Sequence, residues 1–188
     1  MDLLKRELAP IVPKAWELID EEARHVLNLH LGGRKLVDFD GPHGWRYGAV
    51  NLGTLDLLDD GPEDEVHLGL REVLPLGEVR IPIRLDIMDL DAVARGNHDP
   101  DLEPVVEAAE KISRLEDGAI FDGSEELGIE GIIGSSSHEP FALPEDPIQY
   151  PRAVVEASEI LLKSGIDGPY GLALGPEAYN QLAQAADD

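Results

Sequence analysis

Apolar residues recur at helical spacing in several stretches of the chain and at every second position in one long stretch between them. From Pro13 to about Leu31, the positions Trp16, Ile19, Ala23, Val26, Leu27 and His30 keep the spacing of one helical face. Pro13 suits the first turn of that helix, and Gly32-Gly33 ends it. Ahead of it, Leu3, Leu4, Leu8, Ile11 and Val12 make a short amphipathic turn that Pro10 and Pro13 interrupt. A second stripe, Leu102, Val105, Val106, Ala109, Ile112, Leu115, Ala119 and Ile120, predicts a helix over about 100–121. A third helix begins near Pro147 to Pro151, with Val154, Val155, Ala157, Ile160, Leu161 and Leu162 on its buried side, and Gly165 stops it. Pro176 opens a last one.

From Tyr47 to Met88 the period is two. Val79, Ile81, Ile83, Leu85 and Ile87 alternate with polar residues or Pro82, which predicts a half-buried strand. Pro82 has no N–H to give a ladder, so this strand belongs at an edge. Val66, Leu68 and Leu70 alternate likewise, after a turn at Asp59-Asp60-Gly61-Pro62. The result is a long antiparallel excursion with little core of its own, a surface that needs a partner. The stretch "GPYGLALGP" predicts one more short strand. Strands and helices in this mixed order argue an α+β fold and not a regular βαβ array.

Composition narrows the classes. The 188 residues are 43% hydrophobic, enough for a core, but 39 acidic residues face 15 basic ones, a net charge of −24. So negative a field repels phosphate backbones and anionic lipid, which excludes nucleic acid and membrane surfaces as expected partners. With no cysteine, a disulfide framework and a thiolate metal site are both excluded. No apolar run reaches the ~18 residues of a membrane span, and the first residues do not form a signal peptide, so a cytoplasmic protein is expected.

The candidates for chemistry are few. Asp38, Asp40 and His43, within "GRKLVDFDGPHGWRYGAV", could bind a cation or act as acid and base, but the Gly41-Pro42 turn accounts for their polarity without either. Ser135-Ser136-Ser137-His138-Glu139 sets nucleophile, base and acid types side by side, whereas triad members come from separate parts of a fold. His25 and His30 are five apart, the wrong spacing to share a metal on one face. The glycines of "LGLREVLPLG" are too far from a helix start to cradle phosphate.

In order along the chain, Leu4-Lys5-Arg6, Ala9-Pro10, Trp16, Ile19-Asp20, Gly33-Arg34-Lys35, Val37-Asp38, Gly41-Pro42, Gly44-Trp45 and Tyr47, then "GLREVLPLGEVRI", "LDIMDLDAVARG", "LEDGAIFDG" and "GIDGPY", resemble the encapsulins over essentially the whole chain. These are linocin-type bacterial and archaeal shell proteins (family 1) on the tailed-phage major capsid, or HK97-type, fold. The resemblance implies a discontinuous peripheral domain (1–45 and 86–130, its C-terminal part missing from this chain), an extension loop over 46–85, and the N-terminal part of an axial domain over 131–188. It implies a non-enzymatic protein that self-assembles into a closed icosahedral nanocompartment in the bacterial cytoplasm. The cargo would be an enzyme with a targeting peptide, such as a ferritin-like protein or a dye-decolourising peroxidase. The peptide would dock at Leu27, Leu31, Arg34, Asp38 and Phe39, with an apolar groove for affinity and an Arg–Asp pair for register. Val79, Ile81 and Ile83 would make the inter-subunit contact of the extension loop.

Two departures from the family pattern matter. Some relatives stack a flavin on a tryptophan where this chain has Met88, which offers no ring, so no flavin or other cofactor is expected. The family also continues past Asp188, so a separate C-terminal fragment of the shell protein is an expected partner, with Asp187 and Asp188 near the pore. Two other readings stand beside this one. One is a metal-dependent hydrolase using Asp38, Asp40 and His43; the other is a phage major capsid protein, against which the net charge speaks.

Overall fold

The computed structural model describes residues 5–58 and 66–186, with the side chains of the last two residues left out. Leu3, Leu4, the turn at Asp59-Asp60-Gly61-Pro62, and Asp187 and Asp188 lie outside the described residues. The chain is a mixed helix-and-sheet protein in two compact units, one up to Gly134 and one from Ser135.

In the first unit, helix α1 spans Pro13–His30, α2 Ile87–Val93 and α3 Glu103–Phe121. Pro13 and Pro104 sit in the first turns of α1 and α3, where their missing N–H groups cost nothing. Asp86 caps α2 by accepting the Met88 N–H at 2.8 Å. The apolar faces of the three helices meet in a core of Ala15, Ile19, Leu90, Val93 and Val105. Trp16, Leu18, Leu85 and Leu102 pack around it. Arg6 ties the preceding segment down: its guanidinium grips Asp20 with two bonds of 2.7 and 2.6 Å and lies 4.6 Å over the Trp16 ring. Those bonds hold the Asp20 carboxyl below its ordinary value.

Strand β1 (Ala49–Leu57) pairs antiparallel with β2 (Gly69–Pro75), and β3 (Gly123–Ser124) with β4 (Ile129–Glu130). The β1–β2 register shifts between Asn51 and Leu55, at a bulge where Gly53 takes φ +81, a conformation that favours glycine. The Leu58 N–H donates to the Leu68 carbonyl at 2.9 Å, which carries the pairing past β2. One helical turn, α4 (Ile132–Ser135), follows β4.

In the second unit, α5 (Tyr150–Lys163) and α6 (Pro176–Ala186) follow prolines at their starts. The Tyr150 hydroxyl donates to Gln181 Oε1 at 3.1 Å and links the two. Among the described residues no helix is long and apolar enough to cross a membrane.

Three expectations are corrected. The segment 79–86 is extended but pairs with no strand, and Ile87 already belongs to α2. Ile81, Pro82, Ile83 and Arg84 border a cleft with Pro104, Ala108 and Lys111 of α3. "GPYGLALGP" is likewise extended without a ladder. The helical stripes are also narrower than predicted. Leu115 of α3 and Val155 and Leu162 of α5 are exposed, while Ala108, Ser113, Tyr150 and Ala153 are buried.

Candidate functional site

Two features stand out: the turn after α1, and the β1–β2 hairpin. At the first, the Leu31 N–H closes α1 by donating to Leu27 O at 2.9 Å. The next two N–H groups are those of Gly32, which donates to the His30 carbonyl at 2.9 Å, and of Gly33. Both donate to the Asp117 carboxylate on α3, at 3.1 and 2.9 Å. Gly33 lets the turn approach α3 closely: a Cβ there would stand 2.7 Å from Ile120 Cδ1, so that side chain would have to move. The backbone then makes a turn of 3-10 helix over Gly33–Lys35.

This turn places Arg34 over α3. Its guanidinium donates to both carboxylate oxygens of Glu116, at 2.8 Å from Nη2 and also from Nε. That hydrogen bonding raises the Arg34 pKa further and leaves the group fully charged. The guanidinium also lies over the Phe39 ring, 4.6 Å from its centroid. Phe39 is 55% exposed, so the ring presents free area to a partner. Leu27 and Leu31 are partly buried, and Asp38 is exposed. The structure thus brings Arg34 and Phe39 together, and Arg34 takes a glutamate of α3 where an aspartate partner was expected. Glu116 and Asp117 were missed in a chain so rich in carboxylates. Gly32-Gly33 marked the end of α1, but a helix C-terminus leaves carbonyls and not N–H groups in excess, so nothing in it signalled an acceptor on α3.

The candidate metal ligands do not converge. His43 Nε2 lies 3.1 Å from an Asp40 carboxylate that is 92% exposed, and its ring rests against Tyr47 with centroids 4.4 Å apart. Among the described residues no three His, Asp or Glu groups gather to hold an ion. His138 Nε2 does reach Ser164 Oγ at 2.9 Å, but that hydroxyl also donates to the Ile160 carbonyl of its own helix. Ser136 Oγ accepts the His138 backbone N–H at 3.3 Å.

The hairpin is unusual for the number of apolar side chains in water. Leu52, Leu55, Leu57, Leu70, Val73 and Leu74 are all 43–61% exposed. Every residue of β2, and all of β1 but Ala49, is exposed. A two-stranded ribbon of this kind has no core on either face, and such ribbons are marginal alone. Val79 and Ile83, the expected inter-subunit contacts, are each 42% exposed, while Ile81 is partly buried. Met88 is 66% exposed at the start of α2.

The family described as "Encapsulating protein for peroxidase" matches the chain over residues 1–188. A type 1 encapsulin shell protein of Rhodospirillum rubrum is 42% identical over 189 residues, covering 98% of this chain and 68% of that protein. A type 1 encapsulin shell protein of Mycobacterium tuberculosis is 38% identical over 188 residues, covering 100% of this chain and 70% of its own length. A diheme-cytochrome–encapsulin shell fusion protein of Kuenenia stuttgartiensis is 27% identical over 177 residues, covering 89% and 48%.

Proposed function

The chain belongs to the encapsulin shell-protein family, and on that premise we propose that its β1–β2 hairpin lies across a neighbouring copy and locks subunits into an icosahedral shell of the HK97-type capsid fold. Its role is that of a structural shell protein, not an enzyme. The observation that carries the assembly reading is the hairpin's exposure on both faces. Each leucine, already about half covered, would contribute about 1 kcal/mol more when a neighbour buries the rest, which a monomer forgoes. On this reading residues 46–85 are the extension loop, 1–45 and 86–130 belong to the peripheral domain, and 131–188 to the axial domain. The division after Gly134 is in keeping with that assignment.

Inside the bacterial compartment, the shell would hold an enzyme such as a peroxidase or a ferritin-like protein, through a targeting peptide. The dock would be Leu27, Leu31, Arg34, Asp38 and Phe39. Exposed Phe39 against the Arg34 guanidinium supports it, since apolar area next to fixed polar groups is what an extended or helical peptide binds.

The test of assembly is the variant Leu55→Asp with Leu57→Asp. These positions are two apart on one strand and therefore on one face. Size-exclusion chromatography and negative-stain microscopy should show dissociated subunits or small oligomers, because the interface would have to desolvate two unpaired carboxylates. Intact shells from that variant would refute the hairpin's role. Ile81 and Ile83 make a poorer test, since they border α3 of their own chain.

A further inference from the structure

We propose that Glu116 is a positioning residue of the peptide dock, clamping Arg34 so that its guanidinium backs the Phe39 ring and fixes the opposite face as a preformed apolar platform. The inference rests on the docking reading above and adds a residue and a specificity to it. Arg34 is held at two points by Glu116, with Nη2 at 2.8 Å from Oε2, and its Cζ stands 4.6 Å from the Phe39 centroid. A bidentate guanidinium is planar and oriented, and therefore suited to stacking flat on a ring. Phe39 is thus backed on one face by Arg34, yet 55% exposed.

Two consequences follow. An exposed phenylalanine that is already ordered loses less side-chain freedom when a peptide covers it. And because the charge of Arg34 is already met by Glu116, the peptide need bring no carboxylate. The partner this platform fits is an aliphatic or aromatic side chain of the targeting peptide, and the binding should depend little on salt.

The experiment uses fluorescein-labelled targeting peptides of a ferritin-like protein and of a dye-decolourising peroxidase. Anisotropy with this chain selects the tighter binder. In parallel, 4-fluorophenylalanine labelling gives one fluorine resonance for each of the three phenylalanines. Glu116→Ala, or Glu116→Gln if the first fails to fold, should shift the Phe39 resonance and weaken the peptide about three- to fivefold, the scale of an exposed cation–π contact. Arg34→Lys should keep the ion pair and the melting temperature but weaken the peptide similarly, which a purely structural role would not do. Raising NaCl from 50 to 300 mM should change wild-type affinity by less than about twofold. If Phe39→Ala abolishes binding while both Glu116 variants leave resonance and affinity unchanged, the clamp is refuted and the dock stands. If Phe39→Ala binds like wild type, or neither peptide binds the wild type, the dock itself fails and the clamp falls with it.

Discussion

Removing the Asp117 carboxylate tests how the helical body is held together. It accepts the Gly32 and Gly33 N–H groups at 3.1 and 2.9 Å, and these bonds fix the end of α1 against α3. A carboxylate near the end of α3 opposes that helix's dipole, so its presence there needs such a counterpart. Hydrogen bonds to a charged group are worth about 1.5–3 kcal/mol each, and a buried donor left without a partner costs about 1–3 kcal/mol. Gly33 is buried but Gly32 is only partly so, and its N–H keeps the His30 carbonyl as an acceptor once the carboxylate is gone. Asp117→Ala should therefore cost about 2–3 kcal/mol, near the low end of the sum. Asp117→Asn keeps one acceptor oxygen and turns an NH2 toward the other donor, so it should cost about half as much. Urea unfolding followed by tryptophan fluorescence reads the right unit, because both tryptophans, Trp16 and Trp45, lie before Gly134. With a slope of about 1–3 kcal/mol per molar, the alanine variant's midpoint should fall by roughly 1 M or more. Both variants within about 0.5 kcal/mol of wild type, the usual range for surface changes, would refute the account of this turn.

Three further outcomes are expected. The Asp20 carboxyl is lowered from 3.8 by Arg6, so its contribution is present above the unfolded value and lost as pH falls through the folded one; the urea-midpoint gap between wild type and Asp20→Asn should be open at pH 6 and close at strongly acidic pH, and a gap that widens on acidification would contradict it. A Cβ at Gly131 would stand 2.2 Å from the Gly123 backbone nitrogen, so Gly131→Ala should destabilise by about 3 kcal/mol in a thermal melt, and an unchanged melting temperature would count against the β3–β4 geometry. Copies of charge −24 repel over about 30 Å at 0.01 M salt but only about 10 Å at 0.1 M, so light scattering should show more assembly as salt rises, and less would show that the interfaces rest on attraction between opposite charges.

Helices α1 and α5 were legible because two independent signals agreed on each: apolar residues at helical spacing, and prolines able to open the first turn at Pro13 and Pro151. Helix α2 was not foreseen. The unpaired state of 79–86 was not legible for a physical reason. Alternation in the sequence does not say which element its apolar side chains will face, and here residues 81–84 border a cleft with α3 while no neighbouring strand offers a ladder. The hairpin's exact strands were obscured for the opposite reason: with both faces of β1 and β2 exposed, burial imposes no period on them. At the site, Arg34 and Phe39 could be named from the resemblance, but their partner on α3 could not. Glu116 lies 82 positions away in sequence and looks like any other surface carboxylate.

The central claim is that this chain builds a closed shell. Negative-stain and cryo-electron microscopy of the purified wild-type protein, beside the Leu55→Asp/Leu57→Asp variant at equal concentration, tests it most directly. The account predicts hollow icosahedral particles from the wild type and none from the variant. Dispersed subunits of 20.5 kDa from the wild type, or the same particles from both, would contradict it.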